Sequence, residues 1–304
     1  MGAADVVPGV SGGTIAFISG IYEELVTTID RLDFGFFKLW KKEGLKNAFA
    51  YYNIGFLLTL FAGVFVSILS LAKLVTFLLD EYPILLWSFF FGLVVASIGY
   101  IAKQIKEWSV INTFAMLIGA ALVYFVTVAA PAQAPDVWYM YFLSGCIAII
   151  AMILPGLSGS LILVLLGSYA IVIGAITGFF DALFAQEWSI ALGHFKLLFL
   201  FGLGCIIGLK LFSKALKYMF EHKEQLTLAI LTGFMIGSLN RIWPWKEVLS
   251  TRVDRHGDTV PLEVKSILPS AYNGDPKIMF AILLAVIGFL LIWILERSAK
   301  NKPV

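Results

Sequence analysis

The sequence predicts an all-α polytopic membrane protein with inverted structural repeats, each a broken or re-entrant Pro-Gly helical hairpin followed by three transmembrane helices. Three observations carry that prediction. The 304 residues are 60% hydrophobic and 14% charged, with mean hydropathy +0.91, whereas a soluble domain carries about 25% charged residues. Six long apolar runs are spaced along the chain. A short motif is also spelled twice, and every matched pair of its residues (Pro8/Pro155, Gly9/Gly156, Ser11/Ser158, Gly12/Gly159, Gly20/Gly167, Tyr22/Tyr169) lies 147 positions apart.

The apolar runs predict helices over 54–72, 84–101, 111–130, 196–213, 227–243 and 278–295. Each is about 17–20 residues, long enough to cross the hydrocarbon core. Residues 139–154 and 158–176 read as two shorter apolar arms hinged at Pro155-Gly156, and 6–27 as the second arm of an equivalent hairpin. The dozen apolar residues before Pro155 have no counterpart before Pro8. The first hairpin is therefore expected to be incomplete, or the chain to begin late. No basic region, apolar core and small-residue cleavage site precede the first motif, so no cleavable signal is expected.

The duplication continues past the motif. Gly63/Gly204, Lys73/Lys214, Gly92/Gly233 and Ser97/Ser238 pair at an offset of 141. Residues 1–138 and 139–304 thus read as two repeats. A hairpin returns the chain to the side it left, so three further crossings make each half odd, and the second half must be inverted. Loop charge agrees. With 28–53 placed in the cytoplasm, fourteen Lys and Arg fall inside and seven outside, which puts both termini inside. Five of the outer seven lie in 244–277, where five acidic residues match them. Trp108, Trp138, Trp188, Trp243 and Trp245 lie near span ends, as interfacial anchors do. Inverted repeats with broken helices place transport sites near the midplane, where the repeats meet.

A Pro-Gly break in an apolar segment frees backbone groups, which a bilayer tolerates only inside protein or around a polar cavity. The following N–H groups attract an anion. Ser11, Gly12, Gly13 and Thr14 in the first copy, and Ser158, Gly159 and Ser160 in the second, form the candidate phosphate-binding set. The other reading is that small residues let helices pack closely. Arg241, a charge at the end of an apolar run, joins the set because guanidinium pairs bidentately with phosphate; snorkelling to the outer interface is its alternative. Asp5 has Met152 at its equivalent position and is the candidate for ion or proton coupling, or else a cap. Lys103, Lys106, Lys210 and Lys214 read as topology determinants.

Other chemistry finds little support. Cys146 and Cys205 read as buried free thiols, and the three histidines form no metal-ligand pattern. Neither an HExxH motif nor a base beside Ser11 is present. The chain reads as no enzyme, with no cofactor and no nucleic-acid partner.

The run Gly2-Ala3-Ala4-Asp5-Val6-Val7-Pro8-Gly9-Val10-Ser11-Gly12-Gly13-Thr14, the second run Leu154-Pro155-Gly156-Leu157-Ser158-Gly159-Ser160, and Ile242-Trp243-Pro244-Trp245 together resemble one bacterial family, the polyprenyl-phosphate (undecaprenyl-phosphate) translocases. The resemblance spans essentially the whole chain. The departure is at the start, since members usually carry a further apolar helix before the first motif. The resemblance implies a multi-pass protein of the bacterial cytoplasmic membrane. Its expected partners are membrane lipids and, as cargo, polyprenyl phosphate, the lipid carrier of cell-wall synthesis, returned from the outer to the inner leaflet. It leaves the coupling ion, H+ or Na+, undecided. A transporter of a small soluble anion and a non-transporting envelope scaffold are the competing readings.

Overall fold

The computed structural model describes residues 1–2, 11–131, 137–253 and 259–300. These are mostly helical, and the chain is a multi-pass membrane protein. Asp5 and the first Pro8-Gly9 turn lie outside the described residues. The helices are α1 Gly12–Ile18, α2 Tyr22–Arg31, α3 Gly35–Glu43, α4 Leu45–Tyr51, α5 Ile54–Glu81, α6 Pro83–Ala102, α7 Val110–Val128, α8 Trp138–Ile153, α9 Gly159–Leu165, α10 Tyr169–Phe184, α11 Trp188–Ser238 and α12 Ile278–Lys300. Strands β1 Lys246–Val253 and β2 Thr259–Ser266 pair antiparallel before α12.

Local chemistry sets these boundaries. Ser11 caps α1, its Oγ accepting the Gly13 N–H at 3.1 Å. Ser109 caps α7 by accepting from Asn112, and Pro83 opens α6 where its missing N–H costs nothing. The runs predicted at 196–213 and 227–243 join in α11, which breaks at Lys223 (φ −142°, ψ 45°) and ends at Ser238 rather than 243. Four helices among the described residues are long and apolar enough to span a membrane, or five if α9 and α10 count as one bent span. Exposed Phe61, Phe65 and Leu69 on α5, and Phe114, Leu122 and Phe125 on α7, face outward as hydrocarbon-facing side chains do.

The second hairpin differs from the sequence reading. Its later arm is not one helix over 158–176: α9 and α10 meet at a 107° bend. The bend sits at Gly167 and is repeated at Gly20, both with φ +71°. Gly20 and Ile21 donate to the carbonyls of Phe17 and Ala16. Gly167 and Ser168 donate to those of Val164 and Leu163, the equivalent residues 147 positions on. This is a left-handed C-terminal cap, where a Cβ would be strained. The 244–277 segment, read only as a loop, carries the hairpin.

Close backbone approaches fix the packing of the longer helices. A Cβ on Gly92 would stand 1.8 Å from the Ala285 carbonyl oxygen, and one on Gly288 2.1 Å from that of Phe89, so α6 and α12 lie in backbone contact. In the same way Gly233 meets the Met116 carbonyl at 2.1 Å and Gly119 that of Ile230 at 2.9 Å, joining α7 to the second arm of α11. The two sets correspond. Gly92/Gly233 and Phe89/Ile230 are 141 apart, whereas Met116/Ala285 and Gly119/Gly288 are 169 apart. A third interlock holds α8 to the first arm of α11, where Gly145 meets the Phe201 carbonyl and Gly204 that of Phe142. There Cys146 donates to the Gly204 carbonyl at 3.0 Å, and both thiols are free and half-buried rather than fully buried. Buried Ser88, Ser97 and Thr232 satisfy their hydroxyls on carbonyls four residues back.

Candidate functional site

Pro155 lacks an N–H and ends the run of α8, leaving the backbone of 152–156 short of helical partners. The first motif supplies them. Ser11 Oγ lies 3.2 Å from the Leu154 carbonyl oxygen and 3.4 Å from that of Met152. The Gly156 N–H donates to Thr14 Oγ1 at 3.0 Å. Only glycine at position 13 permits this approach, because a Cβ there would stand 2.3 Å from the Ile153 carbonyl oxygen. Gly156 (φ +87°) packs against Phe234 and Ser238 of α11, and Pro155 is fully buried. The two copies of the motif are therefore in direct contact, with Ser11, Gly12, Gly13 and Thr14 all buried.

The second copy is more open. Ser158 opens α9 without a side-chain cap, and its Oγ lies 2.9 Å from that of Ser160, which is exposed. Gly159 packs on the Ala148 carbonyl.

Arg241 lies beyond the end of α11. It lines a cavity of about 300 Å³ walled by Leu161, Val164 and Leu165 of α9, the end of α7 at Tyr124 and Thr127, and Leu249, Val264, Lys265 and Ser266 of the hairpin. Among the described residues that line it there is no Asp or Glu. The sequence-predicted set thus divides between the motif junction and this cavity, with α9 extending from one to the other.

The Arg241 segment is pinned by Lys246, Asn240 and Ser266, to which the sequence assigns no role, and by two of the tryptophans expected as interfacial anchors. Lys246 Nζ donates to the Arg241 carbonyl at 2.6 Å and lies 3.6 Å from the Trp87 ring centroid. Burial, with the Arg241 charge adding to it, holds the Lys246 ammonium well below the usual lysine range. Asn240 Nδ2 donates to Thr127 Oγ1 at 2.7 Å, and Ser266 Oγ to the Asn240 carbonyl at 3.0 Å. The Trp243 and Trp245 indoles donate to the carbonyls of Ile267 and Pro276. The signal in the sequence was adjacency, since Lys246 follows Trp243-Pro244-Trp245 directly.

Lys210 has a local role as well. Its ammonium donates to the Asp30 and Leu32 carbonyls at the C-terminal end of α2, where a cation meets the helix dipole. Lys217 pairs with Asp30 at 3.1 Å. A wider groove of about 700 Å³ between α8, α10 and α11 holds His194 and Lys196 but none of the motif residues. Among the described residues no three His, Cys, Asp or Glu cluster as metal ligands.

Comparison with known proteins joins this geometry to a family. A family model described as VCA0040-like, undecaprenyl phosphate translocase-like, matches residues 1–260. The chain is 42% identical over 305 residues to a polyprenyl-phosphate transporter of Vibrio cholerae, covering 99% of this chain and 94% of that one. It is 29% identical over 258 residues to a polyprenyl-phosphate transporter of Staphylococcus aureus, covering 80% and 83%. No solved structure matches. The family and these relatives are described as transporters, not enzymes. The chain belongs to the undecaprenyl phosphate translocase-like family.

Proposed function

We propose that this protein carries the phosphate headgroup of polyprenyl phosphate from the outer to the inner leaflet of the bacterial cytoplasmic membrane, returning the carrier for cell-wall glycan synthesis. The observation that supports this best is Arg241 in a cavity with no carboxylate among its described lining residues, with α9 running from that cavity back to the joined motifs. A headgroup needs a polar path while its apolar tail stays in lipid. Arg241 meets the phosphate first, and Ser158, Gly159 and Ser160 take it on toward the junction. Ser11 and Thr14 then exchange their bonds to Leu154 and Gly156 for phosphate oxygens, with Gly12 and Gly13 giving close backbone approach.

In this reading residues 1–138 and 139–304 are inverted repeats, and rocking of one against the other alternates access. The reciprocal glycine contacts of α6 with α12 and of α11 with α7 support a two-fold exchange between them. Loop charge supports cytoplasmic termini. Asp5 is the proposed coupling group, for H+ or Na+. The test is reconstitution in liposomes with labelled polyprenyl phosphate, following inward movement with and without an ion gradient. Inward movement above that of empty liposomes is expected; none in either condition overturns the proposal.

A further inference from the structure

The Arg241 cavity holds a second cation on a different element. Lys265 lies on β2 and is among the residues lining the cavity. Three neutral polar side chains there are committed to their neighbours: Asn240 donates to Thr127, Thr127 to the Tyr124 carbonyl, and Ser266 to the Asn240 carbonyl. Among the described residues the side chains of Arg241 and Lys265 have no such acceptor. Glu247 stands opposite Lys265 in the strand register, yet no ion pair within 4.0 Å joins them. The hairpin also supplies an apolar wall. Between the pairs Val248/Val264 and Ser250/Glu263, Leu249 is left unpaired as a bulge, and it lines the cavity.

We infer that Lys265 is a second phosphate-binding cation beside Arg241, so that the β-hairpin carries half of a capture site for a phosphate monoester, on a lipid or free in solution. The inference rests on the reading of Arg241 as a headgroup ligand. A phosphate monoester carries nearly two negative charges at pH 7 and three acceptor oxygens. One guanidinium covers two oxygens and neutralises one charge. A second cation is needed for the remainder, and Lys265 supplies it as a point charge. Apolar Leu249 beside it suits the first carbons of a prenyl chain rather than bare phosphate.

The experiment measures equilibrium binding of labelled geranyl phosphate and of inorganic phosphate to the full-length protein in lipid nanodiscs. Wild type is compared with Lys265→Gln, Lys265→Arg and Arg241→Ala, with thermal unfolding as the folding control. Lys265→Gln is expected to weaken geranyl phosphate binding about tenfold, as loss of one charge-assisted hydrogen bond does, while Lys265→Arg stays near wild type. Lys265→Gln binding within twofold of wild type, with Arg241→Ala impaired, overturns the role of Lys265 and leaves the transport proposal standing. Geranyl phosphate held more tightly than inorganic phosphate makes a lipid the source. Equal affinities, both weakened by Lys265→Gln, keep the two-cation site but overturn the lipid reading. No binding of either probe to wild type overturns both.

Discussion

Thr14 and Gly156 are 142 residues apart in sequence, yet the Gly156 N–H donates to the Thr14 hydroxyl at 3.0 Å. That bond ties one copy of the motif to the turn of the other. It satisfies a backbone donor freed where Pro155 breaks α8, and Thr14 is itself almost wholly buried. Thr14→Val, nearly the same shape, leaves that N–H unsatisfied. It is expected to lower stability by about 1–3 kcal/mol, while Thr14→Ser retains most of it. Thermal unfolding in detergent measures both.

The paired glycines give a second test. Gly92→Ala and Gly233→Ala each force a Cβ against a facing carbonyl, at 1.8 and 2.1 Å. Each is expected to destabilise by about 1–3 kcal/mol through overpacking, and by similar amounts because the two contacts correspond. Gly63→Ala, with nothing within 4 Å of its Cβ, is expected to be neutral or to stabilise by up to about 1 kcal/mol. Unfolding midpoints of the three variants decide this.

A third expectation concerns pH. The Asp33 carboxylate accepts from Tyr52 Oη at 2.7 Å and from the Gly35 N–H at 2.8 Å. The Tyr52 bond is the largest cause holding the Asp33 carboxyl below its ordinary value, and the same bond pushes the Tyr52 phenol up to about 12. A carboxyl depressed in the folded state contributes stability that is present above the unfolded value, about 3.9, and is lost as pH falls through the lower folded value. Tyr52→Phe is expected to remove most of this acid-side dependence while leaving the trend near neutrality unchanged. A stability–pH profile from 3 to 8 for both proteins measures it, and superimposable profiles contradict the assignment.

What the sequence made legible follows from how each feature is encoded. Each of the six predicted spans falls largely within an observed helix because hydrophobic length alone specifies a crossing. The contact between motif copies followed from their duplication, but the partners of Ser11 and Thr14 did not. A hydroxyl suits a phosphate oxygen and a carbonyl or amide of the other copy equally well, and only geometry chooses. The bends at Gly20 and Gly167 were marked by the repeat, yet the left-handed φ that turns α9 into α10 by 107° is invisible in an apolar run. The β-hairpin is not legible because 246–266 is polar and contains Pro261. In the sequence Lys246 and Lys265 therefore stand only as loop charge. Arg241 stood out for the opposite reason, as a charge at the end of an apolar run.

In the proposed function Arg241 and the second motif handle the phosphate. The most direct test is the rate of inward movement of labelled polyprenyl phosphate in liposomes carrying equal amounts of wild type, Arg241→Ala or Ser158→Ala. Arg241→Ala is expected to lose at least about tenfold, the cost of removing a charge-assisted phosphate contact, and Ser158→Ala less. Both variants transporting at the wild-type rate would contradict that role.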